Sequence, residues 1–188
     1  YASVFLNNQQ ILLANNMFRT WRVDVKKVLK KTNNQLLIVF RNADAVADSL
    51  AKVSDLIHPC ENNRNYVRKA QYHFGWDFAP KLTTCGIWRN IQLEAYHQPK
   101  IEKEKLPNNH VKLVQENDSI GQSFYFTVNN KPTFIKGVNW VSADVFLPRV
   151  TKEKYRKLLV AAKQANINML RVWSGGVYED DAFYDLCD

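Results

Sequence analysis

The run Thr151-Lys-Glu-Lys-Tyr-Arg-Lys-Leu-Leu-Val-Ala-Ala-Lys-Gln-Ala-Asn-Ile-Asn-Met-Leu-Arg-Val-Trp173 holds two periodicities in sequence. Tyr155, Leu158, Leu159, Ala162 and Ala165 fall on one helical face, and Thr151 precedes them as an N-cap. Asn166 and Asn168 flank the turn into Met169 to Trp173, which reads as an apolar strand. Upstream, Ser123 to Val128, an Asn129-Asn130 turn and Thr133 to Lys136 predict a hairpin. Phe134 to Val138 then supplies a strand ahead of the helix. Downstream, Gly175-Gly176 opens a loop, and Asp180 to Cys187 begins a second helix. Strand, helix, strand, loop and helix start make a βαβ unit. A (β/α)₈ barrel takes about 250 residues, so residues 123–188 are expected to hold at most its first quarter.

The first half has a different pattern. Ser3 to Leu6, an Asn7-Asn8 turn, Gln10 to Leu13, Trp21 to Val25, Leu36 to Arg41 and Gly86 to Ala95 read as strands between polar turns. Such punctuation predicts a β-sandwich of the jelly-roll kind. Ala43 to Lys52 reads as either a short helix or an excursion loop. From Tyr96 to Gly121 the chain turns polar, with His97-Gln-Pro-Lys, Leu106-Pro-Asn-Asn and Glu116-Asn-Asp-Ser around one apolar run, Val111 to Val114. That composition predicts a linker. The expected organisation is therefore a sandwich over residues 1–96, a linker over 97–122, and the opening of a barrel over 123–188.

The chain is basic, with 26 Lys and Arg against 18 Asp and Glu, and this balance raises nucleic acid as a partner. The charge lies in short scattered clusters: Lys26-Lys27, Lys30-Lys31, Lys100 to Lys105 and Lys152 to Lys157. No basic helix, zinc-finger spacing or aromatic RNA-binding motif organises them, so a solvated surface is expected. No apolar run is long enough to span a membrane, and no signal peptide is recognised. The opening residues already alternate like a strand under way, so the true N-terminus is expected to lie upstream. Cys60, Cys85 and Cys187 lack a CxxC element, and one disulfide with a spare thiol or three free thiols both remain open. His58, His73, His97 and His110 are too scattered to suggest a metal site.

Chemistry concentrates in Arg68-Lys-Ala-Gln-Tyr-His-Phe-Gly-Trp-Asp-Phe-Ala-Pro80. Aromatic faces bury the C–H face of a sugar, and a carboxylate accepts hydrogen bonds from vicinal hydroxyls. Trp76 and Asp77, following a glycine, suit a carbohydrate subsite; an aromatic core strand whose Asp77 caps a turn is the alternative. Arg171 and Trp173 end the second predicted parallel strand two residues apart, on one side, where barrel enzymes build their sites. They bind a ligand or else pair and pack inside. Asn139 and Trp140 end the first such strand, and Asn139 reaches a ligand or fixes a loop. Glu179, Asp180 and Asp181 form a carboxylate cluster, yet they precede a helix, where the free N–H groups favour acidic residues. No phosphate loop, HExxH or GxSxG motif occurs.

Taken together, Asn16-Met-Phe-Arg19, Arg68 to Asp77, Gly86-Ile-Trp-Arg89, Phe124-Tyr-Phe126, Lys136 to Trp140, Phe146-Leu-Pro-Arg149, Asn168 to Trp173 and Tyr178 to Cys187 resemble glycoside hydrolase family 2, within it the β-mannosidases. The resemblance implies a jelly-roll, galactose-binding-like domain, an immunoglobulin-like domain, and a catalytic (β/α)₈ barrel. It implies a retaining exo-β-mannosidase acting on terminal β-D-mannose of an oligosaccharide or glycan. Nucleic acid, membrane, metal and organic cofactor have no part in it. In such enzymes the Gly-Trp-Asp loop reaches over the barrel mouth. Trp76 and Asp77 would then line the mannose subsite, with Arg171, Trp173, Asn139 and Trp140 contributing from the barrel. Two departures accompany the resemblance. The stretch between Tyr96 and Ser123 is too short for an immunoglobulin-like domain of about 100 residues. The two catalytic glutamates belong to later barrel strands, so none is expected in this chain.

Overall fold

The computed structural model describes residues 1–57, 62–96 and 110–188. Cys60, His58, His97, the Lys100 to Lys105 cluster and the polar turns from His97 to Asn109 lie outside the described residues. The described chain divides into two compact units, Tyr1–Trp88 with Ser174–Tyr178, and Arg89–Trp173 with Glu179–Asp188.

In the first unit, β1 (Ala2–Leu6) pairs antiparallel with β2 (Gln9–Ala14) and with β3 (Leu36–Phe40), giving the order β2-β1-β3. Leu6 lies opposite Gln9, so the hairpin loop is two residues long. Asn7 and Asn8 both adopt positive φ, at 53° and 67°. Two-residue loops of this hand match strand twist, and asparagine tolerates that region better than most residues. Helix α1 (Ala43–Lys52) follows, closing the choice between helix and loop in favour of helix. The Asn42 side chain accepts from the Ala45 N–H at 3.0 Å, satisfying one of the donors left free at a helix start. Ala43, Val46 and Ala47 of α1 form the core of this unit with Val67 and Phe74. Strands β4 (Phe74–Trp76) and β5 (Ala79–Lys81) make a short hairpin rooted in that core.

Two expected strands form no ladder among the described residues. Trp21 to Val25 has no ladder; the Asp24 carboxylate accepts from the Lys26 N–H at 2.9 Å, and Val28 and Leu29 donate back to the Val25 carbonyl. A local side-chain turn of this kind competes with strand pairing, which period-two alternation does not register. Gly86 to Ala95 bends at Gly86 and Arg89 and joins no strand ladder among the described residues, and Ile87, Ile91 and Leu93 are exposed. Alternation marks a face that would be buried; it does not supply a neighbour to bury it.

In the second unit, β6 (Val111–Val114), β7 (Tyr125–Val128) and β8 (Lys131–Thr133) form an antiparallel sheet in that order. The apolar run inside the polar stretch is thus a strand, paired residue by residue from Val111↔Val128 to Val114↔Tyr125. The β7–β8 turn repeats the first hairpin: Val128 faces Lys131, and Asn129 and Asn130 take φ of 50° and 65°. Strand β9 (Gly137–Trp140), helix α2 (Lys152–Gln164) and strand β10 (Met169–Val172) make the expected βαβ unit, with β9 and β10 parallel. Thr151 caps α2 through its hydroxyl, which accepts from the Lys154 N–H at 3.2 Å. Helix α3 (Asp181–Cys187) is capped by Asp180, which accepts from the Ala182 N–H.

Strand β9 starts three residues later than its hydrophobic pattern suggests. Asn168 occupies the backbone groups of the preceding segment: its Oδ1 accepts from the Lys136 N–H at 2.8 Å, and its Nδ2 donates to the Phe134 carbonyl at 2.9 Å. Pairing begins at Gly137, where a side chain would approach Ile135 Cγ2 at 3.1 Å and the Met169 carbonyl at 3.3 Å. Phe134, expected in the strand, is 84% exposed.

Candidate functional site

The Arg68 to Pro80 segment is divided between core and surface by burial. Tyr72 is fully buried and Phe74 nearly so, which ties both ends of the 3₁₀ turn Gln71–His73 into the first unit. The Tyr72 N–H donates to the Gly175 carbonyl at 3.2 Å. Asp44, in the first turn of α1, holds the other end of the hairpin. Its carboxylate accepts from Thr83 Oγ1 at 2.5 Å and lies 3.2 Å from Lys81 Nζ. Between these anchors, β4 and β5 project Asp77 and Phe78 in a two-residue turn after the Trp76↔Ala79 pair. Gly75 has φ of 96°, a conformation that favours glycine, so the kink before Trp76 depends on that residue. Trp76 and Phe78 are each 40% exposed, and Asp77 is exposed. Tyr72 and Phe74 are thus buried, and the change of direction at Gly75 leaves Trp76 and Asp77 at an exposed, well-rooted tip.

Arg64 completes this surface. Its guanidinium carbon lies 4.8 Å from the centroid of the Trp76 ring, and its Nη1 points at the Gly75 carbonyl at 3.4 Å. No sequence signal connects these residues, because a 3₁₀ turn and an irregular segment separate them. Close by in sequence, His73 is 6% exposed, and its Nδ1 is buried without a hydrogen-bond partner. Burial, aided by the charge of Lys69, pulls its pKa down to about 4, so the ring is neutral at ordinary pH. A cavity of about 330 Å³ in the same unit is lined by Phe18, Tyr66, Arg68, Lys69 and Ser174 among others. It contains none of the six residues singled out by sequence.

In the second unit, the parallel register places Arg171 beside Asn139, and Arg171 Nη1 donates to Asn139 Oδ1 at 3.1 Å. Both side chains are exposed, so the pair presents a cation and an amide at adjacent strand ends. The Trp173 N–H donates to the Trp140 carbonyl at 2.8 Å, extending the ladder one residue. Trp140 turns the other way. Its indole N–H donates to Glu179 Oε1 at 2.7 Å, and its ring packs on Phe183 at 4.8 Å between centroids. The Tyr155 hydroxyl donates to Glu179 Oε2 at 2.5 Å.

Glu179 is only 4% exposed. Of the three acidic residues at this helix start, Asp180 is the cap and Asp181 lies in the first turn, as the dipole argument requires. Glu179 is the exception, an interior carboxylate that fastens β9, α2 and the approach to α3 to one another. Asp144, half-buried, is a second anchor. Burial raises its pKa, but hydrogen bonds from Arg149, Lys154 and the Phe146 N–H outweigh that and hold it well below the usual carboxylate range. Among the described residues, no group of three or more His, Cys, Asp and Glu could hold a metal ion. Cys85 and Cys187 are free and exposed. No helix of the described residues is long and apolar enough to cross a membrane.

Comparison with known proteins gives this geometry a context. Residues 1–89 match the glycosyl hydrolase 2 galactose-binding domain-like family. The whole chain is 28% identical to part of β-mannosidase B of Thermothelomyces thermophilus and 29% identical to part of β-mannosidase B of Aspergillus niger, covering 34% of each. The crystal structure of β-D-mannosidase from Dictyoglomus thermophilum matches 99% of this chain, with a TM-score of 0.84 and 27% identity, over 35% of its own length. The chain thus spans about a third of the length of the relatives it matches. Its first 89 residues are similar to a family 2 galactose-binding-like domain, and from end to end the chain resembles part of a β-mannosidase.

Proposed function

We propose that these 188 residues supply part of the mannose subsite of a retaining exo-β-mannosidase, a subsite that the rest of the barrel completes. The observation that carries the reading is the match of the entire chain to β-mannosidases, with Trp76 and Asp77 held together at an exposed, anchored hairpin tip. In the first unit, Trp76 offers an aromatic face to the C–H face of a terminal mannose, and Asp77 accepts from its hydroxyls. In the second, Arg171 donates to sugar hydroxyls from a position set by Asn139, with Trp173 shaping the wall beside them, while Trp140 supports the strand end from the Glu179 side.

The βαβ unit is read as the start of a (β/α)₈ barrel whose C-terminal strand ends carry recognition. The match to the Thermothelomyces enzyme runs over 291 residues against the 188 here. That difference supports a relative with an additional domain of about 100 residues, the size of an immunoglobulin fold. No catalytic glutamate is assigned within these residues. Retaining hydrolysis uses a nucleophilic carboxylate and an acid/base carboxyl about 5–5.5 Å apart. Glu179 already accepts from Trp140 and Tyr155 through both oxygens and is not given either role.

The test is hydrolysis of p-nitrophenyl β-mannoside by the complete gene product, beside the gluco and galacto analogues. Preference for the mannoside is expected, and equal or greater activity on another sugar defeats the assignment in favour of a different family 2 glycosidase. Calorimetric titration of the 188 residues alone with mannobiose separates a further reading. Measurable binding there would favour a non-catalytic carbohydrate-binding sandwich.

A further inference from the structure

We propose that Arg149 and Phe146 bind the sugar on the reducing side of the bond being cleaved; this rests on the mannoside reading above and extends it by one subsite. Both residues belong to the loop that leaves the C-terminal end of β9, just past Asn139 and Trp140. The loop returns through the 3₁₀ turn Leu147–Arg149 into α2. In a (β/α)₈ barrel the loops at that end form the rim of the mouth. With the terminal mannose at Asn139 and Arg171, an exo-acting enzyme leaves the rest of the glycan pointing outward across that rim.

The loop is built to hold a guanidinium in place. Asp144 Oδ1 accepts from Arg149 Nη2 at 2.7 Å and from the Phe146 N–H at 2.8 Å, and its Oδ2 accepts from Lys154 Nζ at 2.6 Å. The Arg149 N–H donates to the Phe146 carbonyl at 3.0 Å, and Pro148 fixes φ inside the turn. The guanidinium carbon of Arg149 sits 4.8 Å from the centroid of the Phe146 ring. Yet the Arg149 side chain is 65% exposed, and Phe146 is exposed as well. An exposed ion pair contributes little stability, and Asp144 keeps Lys154 and a backbone N–H without it. What the arrangement fixes is a flat cation at the surface, ordered before a ligand arrives. Asp144 engages Nη2, and the exposed remainder of the fork can donate in parallel to neighbouring sugar hydroxyls. The exposed part of the Phe146 ring offers apolar contact to sugar C–H groups beside it.

The experiment assays the complete gene product on a β-linked mannobiose, which places a sugar in this subsite, and on β-mannosyl fluoride, which places none. The readout is the ratio of the two kcat/KM values. Arg149→Ala is expected to lower that ratio about tenfold, the low end for a hydrogen bond from a charged group. Arg149→Lys should lower it about threefold, because the ammonium keeps the charge and loses the flat fork. The lysine variant decides if the alanine variant does not fold. An unchanged ratio overturns the proposal, whether both activities persist or both fall together. Joint loss with a lowered thermal midpoint assigns Arg149 to the stability of the loop alone. If the unsubstituted protein prefers the gluco or galacto analogue, the mannoside reading fails by itself, and the same ratio from that sugar's disaccharide and fluoride still decides Arg149. A protein inert on all of these sugars ends both proposals.

Discussion

Removing the Glu179 carboxylate would leave two interior donors, the Trp140 indole N–H and the Tyr155 hydroxyl, without their acceptor. Each hydrogen bond to a charged group contributes about 1.5–3 kcal/mol. Glu179→Ala should therefore cost about 3–6 kcal/mol in urea unfolding followed by tryptophan fluorescence, and Glu179→Gln clearly less, because the amide oxygen still accepts. At Asp77 the expected effect falls on activity. Asp77→Ala should lower kcat/KM for a β-mannoside roughly 10- to 100-fold, the worth of one charge-assisted hydrogen bond, with an unchanged thermal midpoint because the side chain is exposed. His73 predicts a pH effect. Its pKa is about 4 when folded against 6.5 when unfolded, so below pH 6.5 the unfolded chain takes up a proton that the folded one refuses. Stability from this group is complete above pH 6.5 and is lost as pH falls to about 4, an effect on the order of 2–3 kcal/mol. Thermal midpoints measured across that window should decline, and His73→Phe should flatten the decline.

At the level of elements, caps and turns follow local chemistry closely. Thr151 caps α2 and Asp180 caps α3, and both Asn-Asn pairs form two-residue turns with positive φ. Thr151→Ala should cost about 1 kcal/mol, read from the midpoint of denaturant unfolding by circular dichroism. Strand assignment was less transferable. Val111 to Val114 pairs with β7, whereas Gly86 to Ala95, also alternating, joins no strand ladder among the described residues. A helix closes its own hydrogen bonds and announces itself by period and cap. A strand depends on a neighbour that its own residues do not name.

Across the molecule, both units carry apolar surface. Leu37 and Leu13 in the first, and Ile120, Phe134 and Val138 in the second, lie exposed. Among the described residues, the β10-β9 sheet has two strands. Open edges and uncovered apolar side chains favour association. The 188-residue chain should show concentration-dependent light scattering and bind a hydrophobic dye. A sharp, concentration-independent thermal transition that includes residues 123–188 would contradict this.

Local rules in the sequence were enough for helices α2 and α3, the Thr151 cap, the asparagine turns, the βαβ order and the aromatic segment that holds Trp76 and Asp77. Tertiary structure alone decided which of those side chains face inward. Trp140 and Trp173 look alike as residues at parallel strand ends, yet Trp140 is drawn into a hydrogen bond with Glu179, forty residues away along the chain in round terms and adjacent in space. Arg64 stacks on Trp76 without any spacing rule to announce it. Local periodicity sets where a side chain points relative to its own backbone. Its partner is set by packing between elements distant in sequence, and that information exists only in the folded chain.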